Sequence, residues 1–402
     1  MKLGSEVFLK NAKKRRDLKG KRLALVCHPA SVNEKLEHSF ELFHQHLGLA
    51  SAFGPQHGVL GEKQDNMVES EDFLHPVAKV PVFSLYGRVR RPTPEMMETF
   101  DVLLFDLQDL GCRIYTFITT LLYMMEACAV HQKKLIVLDR PNPIGRGVEG
   151  FRLEPGWESF VGAAPIPMRH GLTVGELALY YKAHFKLDLE LEVVKMQGYK
   201  PDQAPGYGWP KDRVWVNPSP NAPNLNMARA YPGTVLLEGT NLSEGRGTTR
   251  SLEVIGARDL DVKKVLALVE KLDLKGAASF RSGVILRECY FEPTFHKFQG
   301  QICHGIQLHY DSMTYKGLKA KPFRLLALLF KAIRQTHPDF ALYREFTYEY
   351  VEERLAFDVI NGGEKLRQWI ENPKATVKAL DQALKKDEGT WLKESKKYWL
   401  YR

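Results

Sequence analysis

Long hydrophobic runs are missing from this chain of 402 residues. The longest apolar stretches, such as residues 102–105 and 121–125, are far shorter than the roughly 20 residues that a membrane-spanning helix needs. The basic start is followed only by the apolar residues 23–27, and no small-residue cleavage site follows them. We therefore expect a protein that works in the cytoplasm without binding a membrane, although a trimmed secretory segment would leave the same sequence.

Cysteine is scarce as well, with five residues scattered along the chain and no CxxC pair. Such an odd, unclustered set is typical of a reduced compartment and predicts neither disulfides nor structural zinc. The histidines form no HExxH motif, and His44 and His46 fall on different faces of a helix. We expect no metal ion.

Acidic residues are fewer than basic ones, 48 against 57, and the formal net charge is +9. Much of the excess lies near the two ends, at residues 13–16 and 385–397, and no nucleic-acid-binding module accompanies it. Solvated tails are the simpler interpretation, so we expect no nucleic-acid partner. The content of 44% hydrophobic and 26% charged residues is ordinary for a globular chain of two or three domains.

The first 250 residues predict an α/β domain, because short apolar runs alternate with helical segments and predict a Rossmann-like parallel sheet. The predicted strands are residues 22–27, 49–53, 80–85, 102–107, 134–139, 189–196 and 213–216, and the predicted helices are residues 35–47, 94–99, 115–132 and 173–185. Residues 251–402 predict a smaller α+β domain that completes the cleft. Its helices are predicted at 262–272, 322–335 and 365–384, and its strands at 284–289 and 303–310.

Polar side chains follow three of the predicted strands, and ligands bind parallel sheets beyond the carboxyl ends of the strands. Turn chemistry explains any one of these loops alone, but three together favour a binding site. The candidates from these loops are Gln56, His57, Asp106, Asp109, Arg113, Tyr115, Asp139, Arg140 and Asn142.

A dinucleotide site is not indicated, although residues 145–150 spell GxGxxG. That fingerprint needs a strand immediately before it and a helix immediately after it. Here five residues separate it from the preceding strand, and the following segment, with Pro155 and Gly156, does not open a helix. We expect no nicotinamide, no flavin and no other cofactor.

Two later segments, residues 217–224 and 238–250, are rich in Asn, Gly, Glu and Arg. Glycines allow backbone N–H groups to approach an anion, and arginine grips a carboxylate with two hydrogen bonds. The second segment lacks the Gly-Lys-Ser/Thr ending of a P-loop, and a glycine-rich connector is the alternative interpretation. The candidates are Asn217, Asn221, Asn224, Glu238, Asn241, Glu244, Arg246 and Arg250. We expect these loops and those of the sheet to line one pocket.

Several of these motifs resemble the exo-β-N-acetylmuramidases of the NamZ family, the YbbC-like proteins, from about residue 21 to the end of the chain. The motifs are Gly54-Pro55-Gln56-His57-Gly58, Ser84-Leu85-Tyr86-Gly87, Phe105-Asp106-Leu107-Gln108-Asp109, Leu138-Asp139-Arg140-Pro141-Asn142-Pro143, Pro167-Met168-Arg169-His170-Gly171, Asn217-Pro218-Ser219-Pro220-Asn221 and residues 238–249. The resemblance implies a Rossmann-like catalytic domain, a smaller second domain and a cleft for the non-reducing end of a peptidoglycan fragment. It also implies release of terminal N-acetylmuramic acid (MurNAc) from its β-1,4 bond to N-acetylglucosamine (GlcNAc).

That chemistry needs one carboxyl group as proton donor and a second group at the oxocarbenium-like centre. The lactyl carboxylate of muramic acid suits Arg113, Arg246 or Arg250. Sugar hydroxyls and the N-acetyl group suit Asn142, Asn221, Asn224 and Asn241, and His170 is a further substrate-binding candidate.

One departure from the family pattern concerns Gln56, which stands where the family usually has Glu. Because Gln cannot transfer a proton, three explanations remain: an inactivated variant, a non-catalytic muropeptide-binding protein, or another carboxylate in the role. We favour the third, with Glu69 or Glu71 as the replacement. Asp106 and Asp109 are further candidates, although either could instead orient His57 or Arg113.

Overall fold

A seven-stranded sheet organises the N-terminal half of the computed structural model, which describes residues 1–64 and 67–402. The strands of the described chain are β1 (Leu23–Val26), β2 (Leu49–Gly54), β3 (Phe73–Leu74), β4 (Pro81–Ser84), β5 (Val102–Phe105), β6 (Lys134–Leu138), β7 (Glu149–Arg152), β8 (Pro167–Arg169), β9 (Leu191–Val194), β10 (Val254–Ala257), β11 (Ile285–Phe291) and β12 (Cys303–His309).

The strand order in this sheet is β3-β4-β2-β1-β5-β6-β9, and every neighbouring pair is parallel except β3 with β4. The parallel strands therefore follow the doubly wound Rossmann order, which reverses direction between β1 and β5. Both of these strands are buried along their whole length, as the continuous apolar sequence of a central parallel strand predicts. A crevice at the carboxyl ends of the strands is expected at this reversal.

The helices cover both faces of the sheet and build most of the second half. They are α1 (Gly4–Lys10), α2 (Ala12–Asp17), α3 (Ser39–Leu47), α4 (Pro94–Met97), α5 (Phe117–Val130), α6 (Val174–His184), α7 (Leu225–Thr234), α8 (Val262–Leu272), α9 (Pro322–Thr336), α10 (Ala356–Asn361), α11 (Lys365–Glu371) and α12 (Val377–Ser395). Within the described residues, no helix is long and apolar enough to cross a lipid bilayer.

The second half contains a small antiparallel sheet of order β10-β12-β11. Helix α9 packs against α7 and α8, and its first twelve residues, 322–333, are buried. The α/β domain with a smaller α+β part is therefore confirmed, whereas the division at residue 250 stays a prediction.

Two of the predicted elements are wrong. Residues 213–216 belong to the described chain but form no strand, because the side chain of Val214 is exposed and the stretch is bounded by Pro210 and Pro218. The helix predicted at 365–384 is two helices. Pro373 follows the end of α11, and the hydroxyl of Thr376 caps α12 by accepting from the N–H of Ala379 at 3.1 Å.

Tyr401, the second-last residue of the sequence, is bound to the sheet through its hydroxyl group. This group donates to Asp139 Oδ2 at 2.6 Å and accepts from the N–H of Met196 at 2.9 Å. Because both partners are buried, we expect Tyr401→Phe to lower the free energy of unfolding by about 2 kcal/mol. Urea denaturation measures the change against Tyr290→Phe, a control at an exposed ring. Equal midpoints for the two variants would show that the Tyr401 hydroxyl does not contribute.

Candidate active site

A small recess of about 40 Å³ opens at the carboxyl ends of β2 and β5, beside the reversal of strand order. It is lined by loops of both halves of the chain. Its polar wall consists of Gln56, His57, Tyr115, Thr116, Ser219, Asn221, Tyr231, Glu238, Arg246, Tyr348 and Glu349. Four of the five segments that we expected to share one pocket therefore do so, and the segment that begins at Asp139 does not.

Gln56 lies directly beyond β2 and is buried. Its Oε1 accepts from the hydroxyl of Thr116 at 2.8 Å, and its Nε2 donates to Glu349 Oε1 at 3.3 Å. The amide is thus held between the start of α5 and a loop from the second half of the chain. Nearby, Asn221 donates to the carbonyl of Gln64 at 2.6 Å and fixes the rim.

Glu349 is a buried carboxyl group in the cavity wall. The hydroxyl of Tyr86 lies 3.0 Å from Oε1 and 2.9 Å from Oε2. Burial raises the pKa of Glu349 to about 7, the charge of Glu238 acts in the same direction, and the hydrogen bond from Tyr86 opposes both. This carboxyl group can therefore carry a proton near neutral pH.

Glu238 is a second carboxylate in the same cavity, in a different environment. Arg246 Nη2 donates to Glu238 Oε1 at 2.6 Å, and the hydroxyl of Tyr348 donates to Oε2 at 2.7 Å. Behind Arg246 lies Glu244, whose Oε2 is 2.7 Å from Lys297 Nζ. Burial raises the pKa of Glu244, but the charges of Lys297 and Arg246 and the hydrogen bond with His296 together outweigh it and hold the pKa well below its usual range.

The catalytic candidate Asp106 and the substrate-binding candidate Asp139 follow strands of the sheet but do not line the cavity. Asp106 is completely buried and paired with Arg140, whose Nε lies 2.6 Å from Oδ1. Asp139 accepts from the N–H of Gly175 and the hydroxyl of Thr173, both at 2.8 Å, at the start of α6. These strand-end residues bind one another and the backbone, as the turn interpretation allowed.

Four further candidates are buried and bond mainly to neighbouring protein groups. They are Arg113, Asp109, Asn142 and His170. Arg113 donates to four backbone carbonyl groups, so its guanidinium is used inside the protein. Asp109 Oδ2 accepts from the N–H of Gly111 at 2.7 Å and lies 3.4 Å from His170 Nε2. The side chain of Asn142 bonds to the backbone of Leu172 and Ile144.

The remaining candidates lie elsewhere. Asn224 caps α7, Asn241 bonds to the carbonyls of Ala341 and Tyr343, Arg250 pairs with Glu253 at 3.3 Å, and Asn217 is exposed. Glu69 and Glu71 are exposed and line a neighbouring recess.

Sequence reasoning missed Glu349, Tyr348 and Thr116. Glu349 follows no strand of the large sheet and belongs to no motif. Tyr86 stands within a family motif but was given no role. In the described residues, no group of three His, Cys, Asp or Glu side chains is placed to hold a metal ion. Residues 145–150 lead into the strand β7 and not into a helix, so they lack the context of a dinucleotide site.

Fold and site together define a Rossmann-type α/β protein whose cavity holds two carboxyl groups in contrasting environments, the arrangement of acid–base chemistry. The chain belongs to the exo-β-N-acetylmuramidase NamZ family, because the models of its N-terminal and C-terminal parts match residues 23–226 and 229–401. The resemblance described above is thereby confirmed.

Individual relatives agree with this assignment. The chain is 38% identical to the peptidoglycan β-N-acetylmuramidase NamZ of Bacillus subtilis strain 168, over 99% of this chain and 91% of the relative. Two crystal structures of DUF1343 family proteins from Bacteroides fragilis NCTC 9343 cover all of this chain and 99% of their own. They show 31% identity with a TM-score of 0.85, and 26% identity with a TM-score of 0.75.

Proposed function

We propose that this protein is an exo-acting β-N-acetylmuramidase. It removes MurNAc from the non-reducing end of peptidoglycan fragments by hydrolysing the β-1,4 bond to GlcNAc. The observation that carries the proposal is the shared cavity of Glu238 and Glu349, since glycoside hydrolysis normally uses a pair of carboxyl groups at the scissile bond. The family and the 38% identical muramidase support the same reaction, and no comparison supports a non-catalytic binding protein.

The polar wall of the cavity suits an acidic amino sugar. Arg246 is the arginine of the three candidates that lines it, and a guanidinium has five N–H donors, enough to serve both Glu238 and a lactyl carboxylate. Ser219 and Asn221 offer groups for sugar hydroxyls and the N-acetyl group. The substrate is therefore a small muramic-acid-containing saccharide.

The activity is tested with the purified protein and the disaccharide MurNAc-GlcNAc. We expect release of free MurNAc, measured by chromatography between pH 5 and 8, and no release from GlcNAc-MurNAc, in which the muramic acid is at the reducing end. If the wild-type protein shows no turnover while the Gln56→Glu variant is active, the protein is an inactivated variant of the enzyme. Tight calorimetric binding of the intact disaccharide without hydrolysis by either protein would favour the binding protein.

A further inference from the structure

Glu349 is a buried acid of the cavity wall, and it accepts a hydrogen bond from the side chain of Gln56. We propose that Glu349 is the catalytic residue that donates the proton to the glycosidic oxygen, with Gln56 and Tyr86 as the residues that position it. The inference rests on the proposed glycosidase function and assigns its acid.

The first support is the placement of the carboxyl group. Glu349 is 5% exposed, yet its side chain lines the cavity. Its oxygens contact donors from two other segments, the hydroxyl of Tyr86 at 2.9 and 3.0 Å and the amide of Gln56 at 3.3 Å. The hydrogen bond from Thr116 to Gln56 Oε1 turns the Nε2 group towards Glu349. Tyr86 and Gln56 thus hold the carboxyl group directly, and Thr116 holds it through Gln56.

The second support is backbone strain at two residues of the cavity wall. Glu349 has φ of 46°, Tyr350 has φ of 67° and His57 has φ of 72°, all in the left-handed region that favours glycine. Each such residue costs on the order of 1–3 kcal/mol and persists only where the surrounding structure holds it in place. Strain at two residues that line the same cavity is the pattern expected where side-chain direction matters more than stability.

The third support is the set of charges that face Glu349. The carboxylate of Glu238 disfavours ionisation, and the guanidinium of Arg90 favours it, as do the donors Tyr86 and Gln56. Arg90 lies 4.0 Å from the centre of the Tyr86 ring, and Tyr348, which precedes Glu349 in the chain, donates a hydrogen bond to Glu238. Burial dominates this balance and raises the pKa to about 7, so a protonated fraction is available at neutral pH.

The chemical step uses this proton directly. The carboxyl proton of Glu349 moves to O4 of GlcNAc, the C1–O4 bond breaks, and its electron pair remains on O4, which leaves as a hydroxyl group. The oxocarbenium-like C1 takes up the oxygen of a water molecule, and a proton from that water returns the carboxylate of Glu349 to its acid form. The net reaction consumes one water and needs no other reactant.

The other acids are less suited to this role. Glu69 is an exposed side chain that accepts from the hydroxyl of Tyr350 at 3.1 Å, outside the cavity. Asp106 accepts two hydrogen bonds from the guanidinium of Arg140 and does not line the cavity. Neither offers a proton to a ligand in this recess.

The test compares Glu349→Gln with wild type on two substrates. On MurNAc-GlcNAc we expect kcat to fall by about 10²- to 10⁴-fold, the usual contribution of a general acid. On an aryl muramide with an acidic phenol as leaving group, which departs without a proton, the loss should be far smaller. Glu353→Gln, an exposed acid on the same loop, is the matched control and should behave as wild type. Glu69→Gln tests the acid that the sequence favoured, and we expect this variant to keep the disaccharide turnover of wild type.

The pH profile gives an independent readout. The acid must be protonated, so kcat/KM should fall as pH rises through about 7. Tyr86→Phe removes a donor to the ionised form, and Gln56→Glu adds a negative charge, so each should move this fall to higher pH.

The outcomes separate the two proposals. If wild type releases no MurNAc, the proposed function fails. If wild type is active and Glu349→Gln keeps its disaccharide turnover, or loses both substrates equally while folding normally in urea denaturation, the assignment of Glu349 is overturned. Should Glu349→Gln fail to fold, the Tyr86→Phe profile decides, since an unshifted fall in kcat/KM contradicts the assignment.

Discussion

Arg113→Met is expected to lower the free energy of unfolding by about 4 kcal/mol, because it breaks a buried network of hydrogen bonds to backbone carbonyl groups. Arg113 Nη1 donates to the carbonyls of Phe151 and Ile166, both at 2.9 Å. Nη2 donates to the carbonyls of Ile360 at 3.1 Å and Asn361 at 2.6 Å. Methionine fills the space of the stem but leaves four buried acceptors without this donor, each costing roughly 1–3 kcal/mol. Relief from burying a charge offsets only part of that loss.

Urea denaturation followed by fluorescence measures this effect. Arg258→Met is the matched control, because the side chain of Arg258 is 68% exposed and should change stability by less than about 0.5 kcal/mol. The same preparations also decide between the two roles considered for Arg113. An unchanged unfolding midpoint together with a raised KM for muramic substrates would restore Arg113 as a substrate-binding residue and contradict its structural role.

The large sheet was predictable because its strands are short apolar runs that alternate with segments of helical spacing. The sequences of β1, β5 and β6 are short apolar runs flanked by helical segments, and this pattern is typical of buried parallel strands. The errors occur where local pattern and context disagree. The apolar residues Val214 and Val216 resemble a strand, but Trp215 instead donates its indole N–H to the carbonyl of Ala222 in an irregular loop.

The site was predictable in position and only partly in membership. Strand ends converge by topology, so Gln56 and Tyr115 were found from the sheet alone. Topology does not reveal which polar groups face the cavity and which bond to each other, and Asp106 with Arg140 is an example of the second kind. Glu349 lies 293 residues beyond Gln56 and reaches it only through the packing of the second half of the chain.

Arg246→Met is expected to weaken binding of MurNAc about a hundredfold more than it weakens binding of GlcNAc. The two sugars differ by the lactyl group, so the ratio of their dissociation constants isolates recognition of the carboxylate. A buried bidentate contact between arginine and a carboxylate is worth about 2–5 kcal/mol when one partner is removed, and 2.7 kcal/mol corresponds to a hundredfold change. The contact proposed here would form at the cavity wall beside Glu238.

The ratio matters because Arg246 also serves the protein itself. Its Nη2 bonds to Glu238 at 2.6 Å and its Nε lies 3.4 Å from Glu244 Oε1, so its loss disturbs the cavity for any ligand. That disturbance weakens both sugars alike and cancels in the ratio. Arg246→Lys should fall between wild type and Arg246→Met, because an ammonium group keeps the charge but not the paired donors. Calorimetric titration of each variant with MurNAc and with GlcNAc measures the effect. If Arg246→Met weakens the binding of the two sugars equally, Arg246 shapes the cavity but does not bind the muramic carboxylate.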